Sequence, residues 1–406
     1  METKEKYKKL EIIPISPIHI GTGDEIIYFS KQEREQKIVV KDVERFIKEE
    51  QKLNAEEKYQ IIKDCKADAI PQEKYALGVS FNLEAENVKR IREFNKTIDF
   101  KPYIPGTAIK AGLRTAFLSY LLNDQNVSSQ VKNKIIQDIL PSNISDKYAD
   151  DEIDKYLMGD DPQKDIFKSI QISDSKLFDI EKLKIIKIQI FNVKHNSNEW
   201  MRYRNRSDVM KIFVEAINNS TDVLTETTLT IDRYLLSQND ALLGKNKDKI
   251  NIDTLIKAAK MFTNFIINYE KNFYKNKNEV RNIYNFYNSI LTRINNNLGD
   301  NEFLLPIGWG TGWVMKTISS MLMNWNDFRK IKSKFKLGKP TLALCSRHNE
   351  PLKNINGRLT FCSRCNRELR REEIKYFDVF PKTRKIAFIN NTTYPLGWIK
   401  IKKTEL

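Results

Sequence analysis

Short strands and helices alternate along this chain, and each half contains a glycine-rich turn that precedes a predicted helix. Residues 8–15 and 75–84 alternate apolar and polar positions, as half-buried strands do. Residues 107–122 instead repeat apolar positions every three or four residues, which is typical of an amphipathic helix. This interleaving predicts an α+β fold.

At 406 residues the chain is long enough for two domains, and we expect their boundary near residue 220. The N-terminal domain then covers residues 1–220 and the C-terminal domain covers residues 221–406. Within the second domain, apolar spacing predicts a helical hairpin at 253–295, whose aromatic residues we assign to the core. A short metal-binding insertion follows at 341–370.

The chain is strongly basic, with 69 Lys and Arg against 53 Asp and Glu and a formal net charge of +16. Such an excess is typical of a protein that binds a polyanion, although a lysine-rich solvated surface gives the same total. No stretch approaches the roughly 20 consecutive apolar residues of a membrane span, and the N-terminus lacks the apolar core of a signal peptide. We therefore expect a cytoplasmic protein without a membrane partner.

The stretch YIPGTAIKAGLRTAF, residues 103–117, begins a helix directly after a Pro-Gly turn. Gly106 frees the backbone, Thr107 is a candidate cap, and Lys110 and Arg114 lie one helical turn apart. The first amides of a helix lack partners within it and attract anions. The segment predicts a binding site for a phosphate backbone. The alternative is a capped surface helix with two solvated basic side chains.

Two further glycine segments can bring the backbone close to a ligand, because glycine readily adopts positive φ. They are Gly21-Thr22-Gly23 and Gly308-Trp309-Gly310-Thr311-Gly312. The second lacks the G-x-G-x-x-G spacing of a dinucleotide-binding loop. We interpret both as RNA-contacting loops, with a tight structural turn as the alternative for each. The tryptophans at 309 and 313 either stack on a base or pack internally.

Two pairs of metal-ligating residues stand close together near the C-terminus. Cys345-x-x-His348 and Cys362-x-x-Cys365 are separated by 13 residues, a spacing that tetrahedral zinc sites use. Four protein ligands leave no position for a reactive water. The spacing therefore predicts a structural zinc ion rather than a catalytic one.

Residues that could form a catalytic group are sparse. His19 and His195 have no carboxylate or nucleophile beside them in the sequence. The acidic residues Asp160, Asp161 and Asp165 read as a solvated loop. We therefore expect no enzymatic activity.

Taken together, five segments resemble one protein family. The segments ISPIHIGTG, YIPGTAIKAGLRTAF, IFKSIQISDS, LPIGWGTGW and PLGWIKI occur in the order found in the RAMP superfamily of CRISPR proteins. The second of them matches the Pro-Gly-[Ser/Thr]-x-[Ile/Leu]-Lys-x-x-x-Arg element of that superfamily. Within it, the chain most resembles a subunit of type III-A (Csm) effector complexes. One departure is Leu157-Met158-Gly159, where the family usually has a hydrophobic-Phe-Gly element.

The resemblance implies two ferredoxin-like (RRM-like) domains, to which the apolar periodicity and the ligand spacing described above add helical insertions and a zinc-ribbon-like insertion in the C-terminal half. It also implies a non-catalytic subunit that binds CRISPR RNA (crRNA), caps the backbone filament at the crRNA 3′ end and supports crRNA maturation and antiviral defence. The implied partners are CRISPR RNA, other RAMP subunits, especially the backbone subunit, and host nucleases. The zinc site is inferred from spacing and not from the resemblance.

Three other functions remain open at this point. A RAMP endoribonuclease would cut CRISPR precursor RNA with His19 as general acid or base. A backbone-type RAMP subunit would cut target RNA with a loop aspartate, for which Asp24 is the nearest residue. A free-standing zinc-ribbon protein would lose nucleic-acid binding on chelation, whereas a structural zinc ion mainly stabilises the C-terminal domain.

Overall fold

The computed structural model describes residues 8–145, 148, 151–194, 197–219, 222–237, 244–338, 342–355, 358–377 and 379–404. His195, one of the two histidines considered for catalysis, lies outside the described residues. None of the helices in these ranges combines the length and hydropathy that crossing a membrane requires.

The described strands are β1 (Lys8–Pro14), β2 (Gly21–Ile26), β3 (Phe29–Gln32), β4 (Lys37–Lys41), β5 (Glu73–Gly78), β6 (Ile91–Phe94), β7 (Ile170–Ile172), β8 (Leu183–Val193), β9 (Asn198–Trp200), β10 (Lys211–Ile217), β11 (Thr225–Ile231), β12 (Glu302–Pro306), β13 (Leu342–Cys345), β14 (Lys353–Ile355), β15 (Arg358–Cys362), β16 (Arg367–Glu368), β17 (Ile374–Phe377), β18 (Thr383–Ile389), β19 (Thr392–Tyr394) and β20 (Trp398–Thr404). The described α-helices are α1 (Val43–Glu49), α2 (Ala55–Lys63), α3 (Gly106–Leu122), α4 (Gln125–Lys134), α5 (Asp151–Met158), α6 (Arg233–Ser237), α7 (Ile252–Tyr274), α8 (Arg281–Asn285), α9 (Thr292–Asn296), α10 (Ser319–Leu322) and α11 (Phe328–Lys334). A π-helical segment, Phe286–Leu291, joins α8 to α9.

Two large sheets form the body of the structure. The five-stranded sheet has the order β12-β20-β1-β11-β7, and its neighbouring strands are antiparallel. The seven-stranded sheet has the order β19-β18-β8-β10-β6-β2, with β9 paired to β8, and only β10 and β6 run parallel. This mixture of helices and sheets confirms the predicted α+β class.

Both sheets combine strands from the two sides of residue 220. In the five-stranded sheet β1 pairs with β20, and in the seven-stranded sheet β8 pairs with β18. The predicted boundary at 220 therefore does not separate the sheets from each other, because strands distant in sequence pair across it. The assignment of two ferredoxin-like domains stays a prediction.

Helices α3 and α7 pack against each other over the five-stranded sheet. Buried residues such as Leu10, Ile12 and Phe303 belong to the large core between them. Gly112 brings α3 close to β12, since a Cβ atom at this position would lie 2.9 Å from Cδ2 of Leu305. The helix predicted over 107–122 is therefore confirmed, and it positions the glycine turn at its start.

The two sheets differ in the side chains that they carry outside the large core. On the five-stranded sheet, ion pairs such as Lys9–Glu226 and Lys400–Glu302 join neighbouring strands, so these lysines are neutralised. On the seven-stranded sheet, a small apolar cluster is covered by Trp309 and contains Ile186, Ile188, Val214, Ala216, Ala387, Ile389 and Leu396. The glycine-rich loop around Trp309 therefore lies on the seven-stranded sheet.

Candidate nucleic-acid interface and metal centre

Two of the three predicted glycine segments meet in the structure. The backbone N–H of Trp309 donates a hydrogen bond to the carbonyl oxygen of His19, at 2.8 Å. Gly308 has a φ of +77°, and a Cβ atom there would lie 2.5 Å from the same carbonyl oxygen. A Cβ atom at Gly21 would lie 2.8 Å from Nε2 of His19. Gly308 is therefore required for the close approach of the two loops, and Gly21 leaves room for the His19 ring within its own loop.

Two cations lie over the indole of Trp309, and a third, Lys316, is close enough to Lys385 to affect its charge. Cζ of Arg92 is 4.6 Å and Nζ of Lys385 is 4.9 Å from the ring centroid, which are cation–π distances. Burial lowers the pKa of Lys385, and the nearby positive charges of Lys316 and Arg92 lower it further. Burial also lowers the pKa of Lys316. We call these four residues the Trp309 cluster.

The charges of the Trp309 cluster lack a neutralising partner in the part of the chain that the structure describes. Within the described residues, none of its three cations forms an ion pair with a carboxylate. Mutual repulsion between unpaired cations disfavours their charged forms, and a bound anion would relieve it. The cluster is therefore a favourable position for the phosphate groups of a polyanion.

The remaining predicted residues of the two loops follow His19 and Trp309, the two residues at which the loops meet. Gly23, Gly310 and Gly312 adopt positive φ values of +103°, +94° and +93°. Thr22 is exposed, and its Oγ1 accepts a hydrogen bond of 3.1 Å from the N–H of Asp24. Contact between these loops and RNA stays a prediction.

The start of α3 is capped differently from the prediction. Pro105 occupies the N-cap position without a side-chain hydrogen bond, and Thr107 is an exposed residue inside the helix. The prediction that Thr107 caps the helix is wrong, because Oδ1 of Asp174 accepts a hydrogen bond of 2.9 Å from the N–H of Gly106. The carboxylate of Asp174 thus occupies the anion position that a helix N-terminus favours.

Lys110 and Arg114 both have partners within the chain. Nζ of Lys110 donates to the carbonyl oxygen of Ile170 at 2.7 Å. The guanidinium of Arg114 forms ion pairs with Asp165 at 2.6 Å and with Asp154 at 2.9 Å. These contacts join α3 to α5, to β7 and to the segment before β7. Neither side chain belongs to the Trp309 cluster. The contacts give both side chains a structural role, and contact with RNA stays a prediction for each.

His19 is buried beneath the Trp309 loop, with 2% of its surface exposed. Its Nδ1 donates to the carbonyl oxygen of Glu215 at 2.7 Å, and its ring meets that of Trp309 edge-on at 5.7 Å. Burial lowers the pKa of His19 to about 4, against the hydrogen bond to Glu215, which raises it. The imidazole is therefore neutral at pH 7, so the imidazolium form that would act as a general acid is not populated.

The metal-ligand cluster consists of two similar turns. Cys345-Ser-Arg-His348-Asn349 follows β13, and Cys362-Ser-Arg-Cys365-Asn366 follows β15. The two asparagines have φ values of +55° and +50°, so each turn ends in the left-handed region. The repeated C-S-R-[HC]-N pattern is a signal in the sequence that indicates paired knuckles, beyond the ligand spacing itself.

The four donor atoms come together closely enough to surround one metal ion. Nδ1 of His348 lies 3.7, 3.5 and 3.4 Å from the Sγ atoms of Cys345, Cys362 and Cys365, and all four atoms lie within 4.8 Å of one another. A tetrahedral zinc ion with bonds of about 2.0 Å to nitrogen and 2.3 Å to sulfur separates its ligand atoms by roughly 3.5–3.8 Å. Burial and the two neighbouring thiols raise the pKa of Cys365 to about 11, and a bound cation would offset that effect. The predicted ligand set therefore fits a tetrahedral ion.

Sequence reasoning missed the three cations of the Trp309 cluster. Arg92 lies on β6, Lys385 on β18 and Lys316 after the glycine loop, so no spacing links them. One local signal exists in β18, where Lys385 occupies the face of the sheet that also carries the buried residues Ala387 and Ile389. A cation among apolar residues with a period of two marks such a position.

The sequence matches one known protein family over most of its length. The family model of the RAMP superfamily matches residues 11–315. The chain therefore belongs to the RAMP superfamily.

Two curated relatives share a more specific name, "CRISPR system Cms protein Csm5". The chain is 28% identical over 333 residues to that of Methanocaldococcus jannaschii, covering 80% of this chain and 67% of the relative. It is 23% identical over 264 residues to that of Streptococcus thermophilus, covering 56% of this chain and 66% of the relative. The matched region thus spans about two thirds of each relative.

Solved structures show the same fold along nearly the whole chain. A chain of the Csm–crRNA–target RNA ternary complex of a type III-A CRISPR-Cas system, determined by cryo-EM, superposes with a TM-score of 0.66 at 22% identity. That match covers 98% of this chain and 100% of the other. The crystal structure of T. onnurineus Csm5 gives a TM-score of 0.57 at 19% identity, with 97% and 100% coverage.

Proposed function

We propose that this chain is a non-catalytic CRISPR RNA-binding subunit of a type III-A (Csm) interference complex. Its superfamily, its Csm5 relatives and the likeness of its fold to a chain of a Csm–crRNA complex support this proposal. Its partners are CRISPR RNA, the other RAMP subunits, above all the backbone subunit, and host nucleases. It caps the filament at the crRNA 3′ end and supports crRNA maturation and antiviral defence in the cytoplasm.

The observation that carries the proposal is the Trp309 cluster. Arg92, Lys316 and Lys385 lie close together without a carboxylate partner among the described residues, beside two loops whose glycines allow close approach. Contacts to the phosphate backbone hold RNA without reading its bases. That mode of binding suits a subunit that accepts CRISPR RNAs of any spacer sequence.

The proposal extends to the metal centre and to the domains. We assign a structural zinc ion to the cluster of Cys345, His348, Cys362 and Cys365, because its four donor atoms lie within 4.8 Å of one another and match the ligand types of a structural zinc site. The ion would join the two turns of a zinc-ribbon-like insertion whose own apolar core is small. Each of the two large sheets would then belong to one ferredoxin-like domain.

The salt dependence of RNA binding tests the proposal. For single-stranded nucleic acid, each phosphate contact contributes about 0.7 to the slope of log affinity against log salt concentration. The double variant Arg92→Ala/Lys385→Ala should therefore lower the magnitude of that slope by about 1.4 in fluorescence-anisotropy titrations with single-stranded RNA. The control variant Lys9→Ala/Lys400→Ala, which removes two paired lysines, should leave the slope unchanged. Equal slopes in all three proteins would contradict the proposed site.

A further inference from the structure

An open cavity of about 920 Å³ lies beside the Trp309 cluster. Its lining comes mainly from the segment 86–92, the loop that joins β9 to β10 and the first residues of β10, together with Glu25 and Gln189. Arg92 lines this cavity as well as belonging to the cluster. On β10, the residues that pair with β6 are Phe213 and Val214. The earlier part of β10 therefore has a free side toward the cavity, which we call the hairpin groove.

Two carboxylates of the hairpin groove are already neutralised. Glu25 forms an ion pair with Arg90 at 3.2 Å. Glu86 is buried and forms ion pairs with Lys187 at 2.9 Å and with Lys211 at 2.6 Å. These contacts remove most of the negative charge that would repel an anionic ligand.

Cations without an ion-pair partner outnumber unpaired carboxylates in the lining of the groove. Lys89 and Arg206 line the groove from two different segments and are exposed, and neither has an ion-pair partner in the described ranges. Arg92 adds a third positive charge where the groove meets the Trp309 cluster. Asp208 is the remaining carboxylate of the lining. The groove therefore has a net positive charge that is continuous with that of the cluster.

A tyrosine ring is held in place at the wall of the groove. The hydroxyl of Tyr203 donates a hydrogen bond of 3.2 Å to the carbonyl oxygen of Lys211, and the residue is 39% exposed. The turn beneath it is closed by two backbone hydrogen bonds, from the N–H of Tyr203 to the oxygen of Asp208 and from the N–H of Arg206 to the oxygen of Tyr203. A base can stack on such a ring without the entropic cost of ordering it.

We propose that the hairpin groove binds a nucleotide of single-stranded RNA that continues from the Trp309 cluster. The base stacks on Tyr203, and the flanking phosphates lie near Lys89 and Arg206. This inference rests on the proposed function, because the same RNA strand occupies both places. Stacking and phosphate contacts are independent of sequence, so the groove accepts any base.

Anisotropy titrations of the full-length protein with an oligouridine of about 12 nucleotides test the groove, since single-strand sites of this kind cover about 4–16 nucleotides. Tyr203→Ala should weaken binding about tenfold, because it removes one stacking platform. Tyr203→Phe keeps the ring and should bind within about twofold of wild type. Tyr59→Ala, which removes an exposed tyrosine with a lysine 5.9 Å from its ring centroid outside the groove, should bind as wild type does.

The outcomes separate this inference from the proposed function. If Tyr203→Ala binds as wild type does while Arg92→Ala/Lys385→Ala binds more weakly, the groove is overturned and the proposed function stands. If the wild-type protein binds no RNA, both are overturned. Circular dichroism checks the fold of each variant. If Tyr203→Ala does not fold, Lys89→Glu in the segment 86–92 tests the groove instead. A folded Lys89→Glu variant with wild-type affinity would refute RNA binding in the groove.

Discussion

The burial of His19 should make folding stability fall in weakly acidic solution. Only 2% of this residue is exposed, and its Nδ1 donates to the carbonyl oxygen of Glu215. Burial is the main reason that the pKa of His19 falls to about 4, and the charges of Arg92 and Lys96 lower it as well. The folded protein therefore keeps this imidazole neutral at pH values where the unfolded chain protonates it.

The size and sign of the effect follow from the two pKa values. Above about pH 6.5 the imidazole is neutral in both states, and its titration does not affect stability. As the pH falls from 6.5 toward 4, the unfolded state takes up the proton first, so stability is lost progressively across that window. The difference between 6.5 and about 4 corresponds to about 3 kcal/mol, because one pKa unit is 1.36 kcal/mol.

Urea unfolding of wild type and His19→Asn at several pH values between about 7 and 4 would measure this loss. Asparagine can keep an N–H donor for the carbonyl oxygen of Glu215 but does not titrate. All other groups titrate equally in both proteins, so their contributions cancel in the difference. The variant should gain about 3 kcal/mol relative to wild type between pH 7 and pH 4. A difference that stays constant over this range would refute the assigned burial and pKa.

Three further substitutions test separate contacts. Arg114→Ala should lower the free energy of unfolding by about 2 kcal/mol, since it leaves two carboxylates without their partner; unchanged urea unfolding would contradict this. Cys362→Ser should reduce the zinc content from one ion per chain toward none, measured by plasma mass spectrometry, while Cys65→Ser on the exposed cysteine should keep the ion. Gly106→Ala should lower the thermal midpoint markedly, because its Cβ would lie 2.2 Å from a carbonyl oxygen, whereas Gly78→Ala meets no atom within 4 Å; equal midpoints would argue against that packing.

Local patterns in the sequence predicted the local parts of this structure. Helix α3 could be predicted because Ile109, Leu113 and Ala116 form a buried stripe at helical spacing. The metal-ligand cluster could be predicted because each ligand pair lies within a single turn, so its geometry depends on few residues. Both features are decided by interactions over a short stretch of chain.

Features that depend on competing local interactions were predicted less well. Residues 42–63 read as one helix, but the structure has α1 and α2 because Asn54 starts a new helix. Its side chain accepts from the N–H of Glu57 at 2.9 Å, and the carboxylate of Glu57 accepts from the N–H of Asn54 at 2.8 Å. The sequence after the glycine-rich loop also predicts a helix over 314–323, but the structure restricts it to Ser319–Leu322, and turns precede it.

Long-range pairing could not be read from the sequence at all. The Trp309 cluster gathers residues from β6, from β18 and from the loop after β12. No periodicity reports which strands become neighbours, because strand order depends on packing of the whole core. For the same reason, the mixing of both halves in each sheet was not anticipated.

The position of β20 between β12 and β1 affects how the protein is made. Translation must reach residues 398–404 before the middle of the five-stranded sheet can be filled. Until then the nascent chain carries β1 beside an empty place, with apolar side chains and unpaired backbone groups accessible to other chains. Ribosome stalling or premature termination ahead of these residues should therefore yield aggregation-prone fragments.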